Sequence, residues 1–122
     1  MSQVLIIHGT LPSLNQVISA AKDHRSRYAK LKREATHLVA LECRAQKLRP
    51  VASCVRVACT WYAKDKRTDP DNLASAKKMI LDGMTKAGVL PDDSWRWIRS
   101  FSDDFEVDAV HPRVEVRLLE AG

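Results

Sequence analysis

The sequence predicts an α+β fold: a four-stranded mixed sheet with two main helices packed on one face, in the order β-α-β-α-β-β. Three observations predict it. Two stretches, residues 26–47 and 74–87, repeat apolar residues at spacings of three and four. Four shorter runs, at 4–7, 51–62, 95–101 and 113–119, are rich in β-branched, small and aromatic residues. No repeat or low-complexity stretch interrupts the 122 residues, so one core shared by sheet and helices is the simplest arrangement.

Each element has its own signal. Residues 4–7 are a short apolar run closed by Gly9, the pattern of a buried strand. A loop follows over 11–15, where Pro12 lacks a ladder donor and Ser13 or Asn15 could cap the next element. Residues 16–25 carry Lys22, Asp23, His24 and Arg25 and read either as an extension of the first helix or as a basic loop. That helix places Tyr28, Leu31, Ala35, Leu38, Val39 and Cys43 on one face and ends before Pro50. The strand at 51–62 contains Cys54, Val55, Val57, Cys59, Trp61 and Tyr62. The second helix aligns Leu73, Ala76, Ile80 and Met84 and stops at Gly88. In the last strand Val114, Val116 and Leu118 alternate with Glu115, Arg117 and Leu119, which predicts one buried face and one mostly wet face.

The totals narrow the class. The chain is long enough to bury a core without staples and is read as a single domain over 1–122. No window reaches the roughly 18 apolar residues of a membrane span. The start lacks the basic segment and longer apolar run of a signal peptide, which predicts a cytoplasmic protein with no membrane partner. Cys43, Cys54 and Cys59 are odd in number and have no Cys-x-x-Cys spacing, against a disulfide framework or a zinc site. The net charge of +5 favours a polyanionic partner, though mildly.

Acidic pairs flank the second helix. Asp69 and Asp71 precede it, and Asp92 and Asp93 follow it. Such carboxylates suit a hard divalent cation, and magnesium needs only one or two of them when a phosphate supplies further oxygens. The same residues also make ordinary caps and turns: Asp69 as N-cap, Pro70 at the first helical position, and Pro91-Asp92-Asp93-Ser94 as a turn. A helix of roughly 16 residues is about 24 Å long, so the two pairs meet only if the chain after Gly88 folds back. On spacing alone, caps and turns lead.

The motifs resemble a known family. Asp69-Pro70-Asp71-Asn72-Leu73, then Lys78, Asp82-Gly83, Lys86-Ala87-Gly88-Val89 and Asp92-Asp93-Ser94, are similar to the signature of the RusA family of Holliday junction resolvases. Pro12-Ser13-Leu14-Asn15 resembles that family's N-terminal Pro-Ser-x-Asn element, so the likeness spans most of the chain. It implies a small homodimeric endonuclease of DNA recombination and repair. Such an enzyme resolves four-way DNA junctions by paired phosphodiester nicks with Mg²⁺, for which Mn²⁺ substitutes. It also implies metal ligation by Asp69, Asp71 and Asp93 with Asp92 beside them, and a catalytic lysine in the following helix, best matched by Lys78. The segment from Asn72 to Asp82 is about three residues longer than the family pattern, close to one helical turn, and this leaves Lys77 and Lys78 as alternatives. The other outcome compatible with the resemblance is a non-catalytic binder of branched DNA that keeps the fold.

Further roles follow from residue chemistry. Lys64, Lys66 and Arg67 beside the first acidic pair, and Arg25, Arg27 and Lys30 upstream, are candidate phosphate contacts that together form a basic rim. Asn72 and Asn15 are candidate orienting residues. Trp61, Trp95, Trp97 and Phe101 read as strand aromatics of a core or dimer interface, and Asp103-Asp104 as a hairpin surface. The four histidines show no ligand spacing and receive no role.

Overall fold

A computed structural model describes residues 2–9 and 11–121, apart from the side chains of Leu14 and Asp23. Four strands, β1 (Ser2–His8), β2 (Val55–Ala63), β3 (Ile98–Val107) and β4 (Arg113–Glu120), form one mixed sheet in the order β1-β4-β2-β3. β4 runs antiparallel to both β1 and β2, while β3 lies parallel to β2 at an edge. A parallel pair needs a crossover. Here it carries α3 (Pro70–Ala74) and α4 (Lys77–Lys86). Between β1 and β2 come α1 (Leu14–Asp23) and α2 (Arg25–Ala45). This is the predicted α+β sheet with two main helices, α2 and α4, on one face.

Alternation along the strands selects that face. Leu5, Ile7, Val57, Cys59, Trp61, Val114, Val116 and Leu118 point to one side and join Val39 and Cys43 of α2 and Ile80 and Met84 of α4 in the core. Arg56 and Arg117 leave the opposite side and are exposed. The β1 edge is covered by side chains: Gln46 Oε1 accepts from Ile6 N at 2.9 Å and Gln46 Nε2 donates to Ile6 O at 2.6 Å. Such pairing satisfies edge groups that would otherwise recruit another strand.

The two helices meet at Gly83. A Cβ there would stand 2.4 Å from Val39 Cβ and 2.9 Å from Thr36 O, so only glycine permits the approach. The same constraint explains why the buried stripe of α2 is small: Ala35, Val39, Ala40 and Cys43. Leu38, expected on that stripe, is 42% exposed.

Several boundaries differ from the sequence expectation. Residues 16–25 are neither a loop nor part of one long helix. Ser13 closes a capping box on α1, donating its N–H to Gln16 Oε1 at 2.8 Å and accepting from Gln16 N at 3.3 Å. Asn15 therefore does not cap; it lies inside α1, exposed. His24 is extended and separates α1 from α2, its Nδ1 accepting from Ser26 N at 3.1 Å. The helix expected over 74–87 is divided. Ser75 Oγ donates to Asn72 O at 2.7 Å, and Ala76 N donates to Leu73 O, a tight turn that ends α3 before α4 begins. Gly88 stops α4 as expected, at φ +80 with Val89 N bonded to Met84 O.

β3 starts at Ile98 rather than at 95 and runs on to Val107. Residues before it turn instead, with Trp97 N and Ile98 N both donating to Ser94 O at 3.0 Å. Asp103 and Asp104 consequently sit in the middle of a strand, opposite Cys59 and Thr60, and are not a hairpin surface. Trp95, read as a strand aromatic of a core or interface, lies in the turn and is 97% exposed.

Candidate active site

The crossover between β2 and β3 carries every residue of the acidic motifs. Asp69 occupies the N-cap of α3 with Pro70 at the first helical position, as expected, but its carboxylate makes no capping bond. The cap reading accounts for its backbone only: Asp69 O accepts from Asn72 N at 3.1 Å and Leu73 N at 3.2 Å. Asp71 follows in the first turn, and both aspartates are exposed. Asn72 Oδ1 is buried and has no hydrogen-bond partner among the described residues. An acceptor left unmatched in this way is costly.

Beyond the tight turn the backbone stays right-handed helical at Ser75 and Ala76. Lys78 and Asp82 are four residues apart within α4 and so lie one turn apart on the same side of that helix. Lys78 Nζ lies 3.1 Å from Asp82 Oδ1, one turn on, and 3.0 Å from Asp93 Oδ2. The chain after Gly88 thus folds back along α4 and brings the second acidic motif to the helix that follows the first. Hydrogen bonds to Asp93 and then to Asp82 raise the Lys78 pKa above its ordinary value, so the ammonium is retained.

The neighbouring lysine does something else. Lys77 Nζ is bonded to Asp103 Oδ2 at 2.6 Å and sits 4.7 Å from the centre of the Phe101 ring. Asp103 also accepts from Trp61 Nε1 at 2.9 Å. This half-buried clamp ties α4 to β2 and β3 and separates the two lysines by role: Lys77 is committed to the sheet and Lys78 faces the carboxylates.

Asp92 behaves as a turn residue. Its Oδ1 accepts from Ser94 N at 2.8 Å, and hydrogen bonds from the Ser94 side chain and backbone, with Arg96 nearby, hold its carboxyl below the ordinary range. Asp69, Asp71 and Asp93 are not assembled into one cluster. Among the described residues no three His, Cys, Asp or Glu side chains stand close enough to hold one ion. The two exposed carboxylates at the start of α3, Asp69 and Asp71, are hard oxygens of the kind magnesium takes.

The basic candidates fall in two places. Lys64, Lys66 and Arg67 are exposed in the β2–α3 loop, directly before Asp69, with Arg67 N donating to Asp65 Oδ1 at 2.9 Å. An open cleft of about 560 Å³ beside them includes Lys66, Thr68 and Pro70. Arg25, Arg27 and Lys30 lie on the first turns of α2, where Arg27, Lys30 and Arg33 border a second open cleft of about 570 Å³ and Lys30 pairs with Glu34 at 3.8 Å. α1, which precedes them, packs against α3.

Sequence reasoning gave no role to Asp82 or Asp103. The four-residue offset of Asp82 from Lys78 was a readable signal. So was the alternation of Phe101, Asp103 and Phe105, which marks one face of a strand. No helix among the described residues is long and apolar enough to cross a membrane. Comparison with protein-family models and with curated proteins gave no match.

Proposed function

We propose that this chain is a divalent-metal-dependent endonuclease that cuts branched DNA, the four-way junction above all, as its likeness to the RusA motifs implies. The observation that carries the reading is the Lys78–Asp93 contact of 3.0 Å. It joins two motifs fifteen residues apart at one place, and it offers a retained positive charge to a phosphodiester.

Asp69 and Asp71 would hold Mg²⁺ or Mn²⁺, and Asn72 would orient a ligand carboxylate; water and substrate phosphate oxygens would supply the remaining ligands, so a cage of three carboxylates is not required. A bound ion polarises a phosphoryl oxygen and lowers the pKa of a coordinated water. Lys78 neutralises the phosphate as charge develops on it, and Asp82 and Asp93 hold the ammonium in place. Ligation by Asp93 would require it to leave Lys78. Both side chains of that pair are well exposed, at 58% and 42%, so the separation is easy. Lys64, Lys66 and Arg67 approach the backbone beside the cut, and Arg25, Arg27 and Lys30 provide more distant phosphate contacts. Paired nicks in a two-fold junction call for two sites related by the same symmetry, which a homodimer supplies. A cytoplasmic role in DNA recombination and repair belongs to the same reading.

A nicking assay on a synthetic four-way junction, with and without Mg²⁺, tests it. Metal-dependent paired nicks are expected. Binding of the junction with no cutting in Mg²⁺ or Mn²⁺ would instead identify a non-catalytic branched-DNA binder. Asp71→Asn is expected to abolish cutting while junction binding survives or improves, because it removes a negative charge facing phosphate.

A further inference from the structure

We propose that the cleft between the Trp95 turn and the start of β3 is a subsite for an unstacked nucleobase beside the cut phosphodiester; this rests on the endonuclease reading. The cleft has a volume of about 300 Å³ and is lined by Asp93, Ser94, Trp95, Arg99, Ser100 and Phe101. That volume is at the lower end for small-ligand pockets. Asp93, whose carboxylate holds Lys78, forms one wall, so the subsite adjoins the residues proposed to act on the phosphate.

Trp95 is the most exposed large hydrophobic residue among the described residues. Its indole is 97% exposed, on a turn that is otherwise well tied. Asp92 Oδ1 holds Ser94 N at 2.8 Å, and Ser94 O takes both Trp97 N and Ile98 N. A fixed turn therefore presents a large aromatic face to solvent. Phe101, 48% exposed, contributes a second ring to the same cleft. Arg99 is placed by a bulge: Val55 pairs with Ile98 but Arg56 with Ser100, which leaves Arg99 opposite no residue of β2. Bulges re-aim side chains in this way beside functional sites. Aromatic faces to stack a base, an arginine for its phosphate and serine hydroxyls for polar edges are the components of single-strand recognition. Such a subsite would favour strands whose bases are unpaired or unstacked, as at a junction crossover, over continuous duplex.

The test uses a four-way junction carrying 2-aminopurine at the crossover, in EDTA so that no strand is cut, with Trp95→Ala and Trp95→Phe in the full chain. The wild type is expected to change the 2-aminopurine emission. Trp95→Ala is expected to bind about tenfold more weakly, the scale of one lost base stack, and to lose the emission change, while Trp95→Phe keeps both. Circular dichroism checks that each variant is folded. Unchanged binding and emission in Trp95→Ala would overturn the subsite. So would sedimentation showing that Trp95→Ala dissociates a dimer the wild type forms without DNA, since Trp95 would then be a contact between copies. Cutting in Mg²⁺ is scored on a separate gel. A wild type that stacks the base but never cuts keeps the subsite and removes the nuclease.

Discussion

Lys78 Nζ stands 3.0 Å from Asp93 Oδ2 and so links α4 to the turn that leads into β3. Both side chains are largely solvated, and exposed ion pairs contribute little to stability. Lys78→Ala is expected to change unfolding free energy by less than about 1 kcal/mol in a urea titration. Cutting is expected to fall by about a hundredfold or more, the scale of a lost catalytic group. Asp82→Asn leaves the Asp93 contact and is expected to cost less activity than Lys78→Ala. Equal losses would assign Lys78 a structural part instead.

The half-buried clamp gives the opposite pattern. Removing the Asp103 carboxylate leaves Lys77 and the Trp61 indole N–H without their partner. Asp103→Ala is expected to destabilise by about 1–3 kcal/mol, the penalty for unmatched buried groups. Near-ultraviolet circular dichroism is expected to report a changed Trp61 environment. Lys77→Met is expected to lower stability with little effect on cutting, which separates it from Lys78.

Gly83→Ala tests the helix crossing. The added methyl would meet Val39 and the Thr36 carbonyl rather than a flexible side-chain end. Alanine gains about 1 kcal/mol of helix propensity over glycine. Overpacking costs about 1–3 kcal/mol, and at this separation the upper end or beyond is expected. A thermal melt is expected to show a clear net loss.

Burial sets the thiol chemistry. It pushes Cys43 up from 9.0 to about 11 and, with Asp103 adding to the effect, Cys59 up to about 12. Above pH 9.0 the unfolded chain releases thiol protons that the native chain keeps, so the unfolded state binds fewer protons and stability falls as pH rises. This contribution is complete below pH 9.0 and is lost progressively toward pH 11 to 12. In the native protein at pH 8, a thiol reagent is expected to react quickly with the partly exposed Cys54 and slowly with Cys43 and Cys59. All three are expected to react in denaturant.

The loop lysines are testable through salt. If Lys64 and Lys66 each neutralise one phosphate, the double alanine variant is expected to flatten the plot of log affinity against log salt by roughly 0.9 per lysine on duplex arms. Junction specificity is expected to persist, since such contacts position the protein without reading structure. An unchanged slope would move the DNA path toward Arg25, Arg27 and Lys30.

How much of this was legible in the chain varied by element. β1, β4 and the long part of α2 follow from local periodicity, because each has a run of apolar residues at one spacing. The strand at 95–101 was legible, but the continuation of β3 from Ser102 to Val107 was hidden by Asp103, Asp104 and Glu106, whose charges mask the alternation of Phe101, Phe105 and Val107. Its partner β2 holds the strand in place by parallel hydrogen bonds that no local window contains. The division of α3 from α4 was hidden for a related reason. Every residue from 70 to 87 except Pro70 and Gly83 tolerates helix, and a single Ser75 hydroxyl bonded to Asn72 O accompanies the tight turn that divides them.

The sequence by itself determined the fold class, the buried face of β4, the Gly88 stop and the acidic motifs around one crossover, since these depend on side-chain period and on single-residue backbone preference. Tertiary structure decided what the motifs touch. It gave Lys77 to Asp103 and Lys78 to Asp93, left the Asp69 carboxylate without a capping bond, and kept Asp92 in its turn. It also put Trp95 in solvent beside Asp93. Those outcomes depend on the fold-back after Gly88 and on the helix crossing at Gly83, distances set by packing that spacing along the chain does not contain.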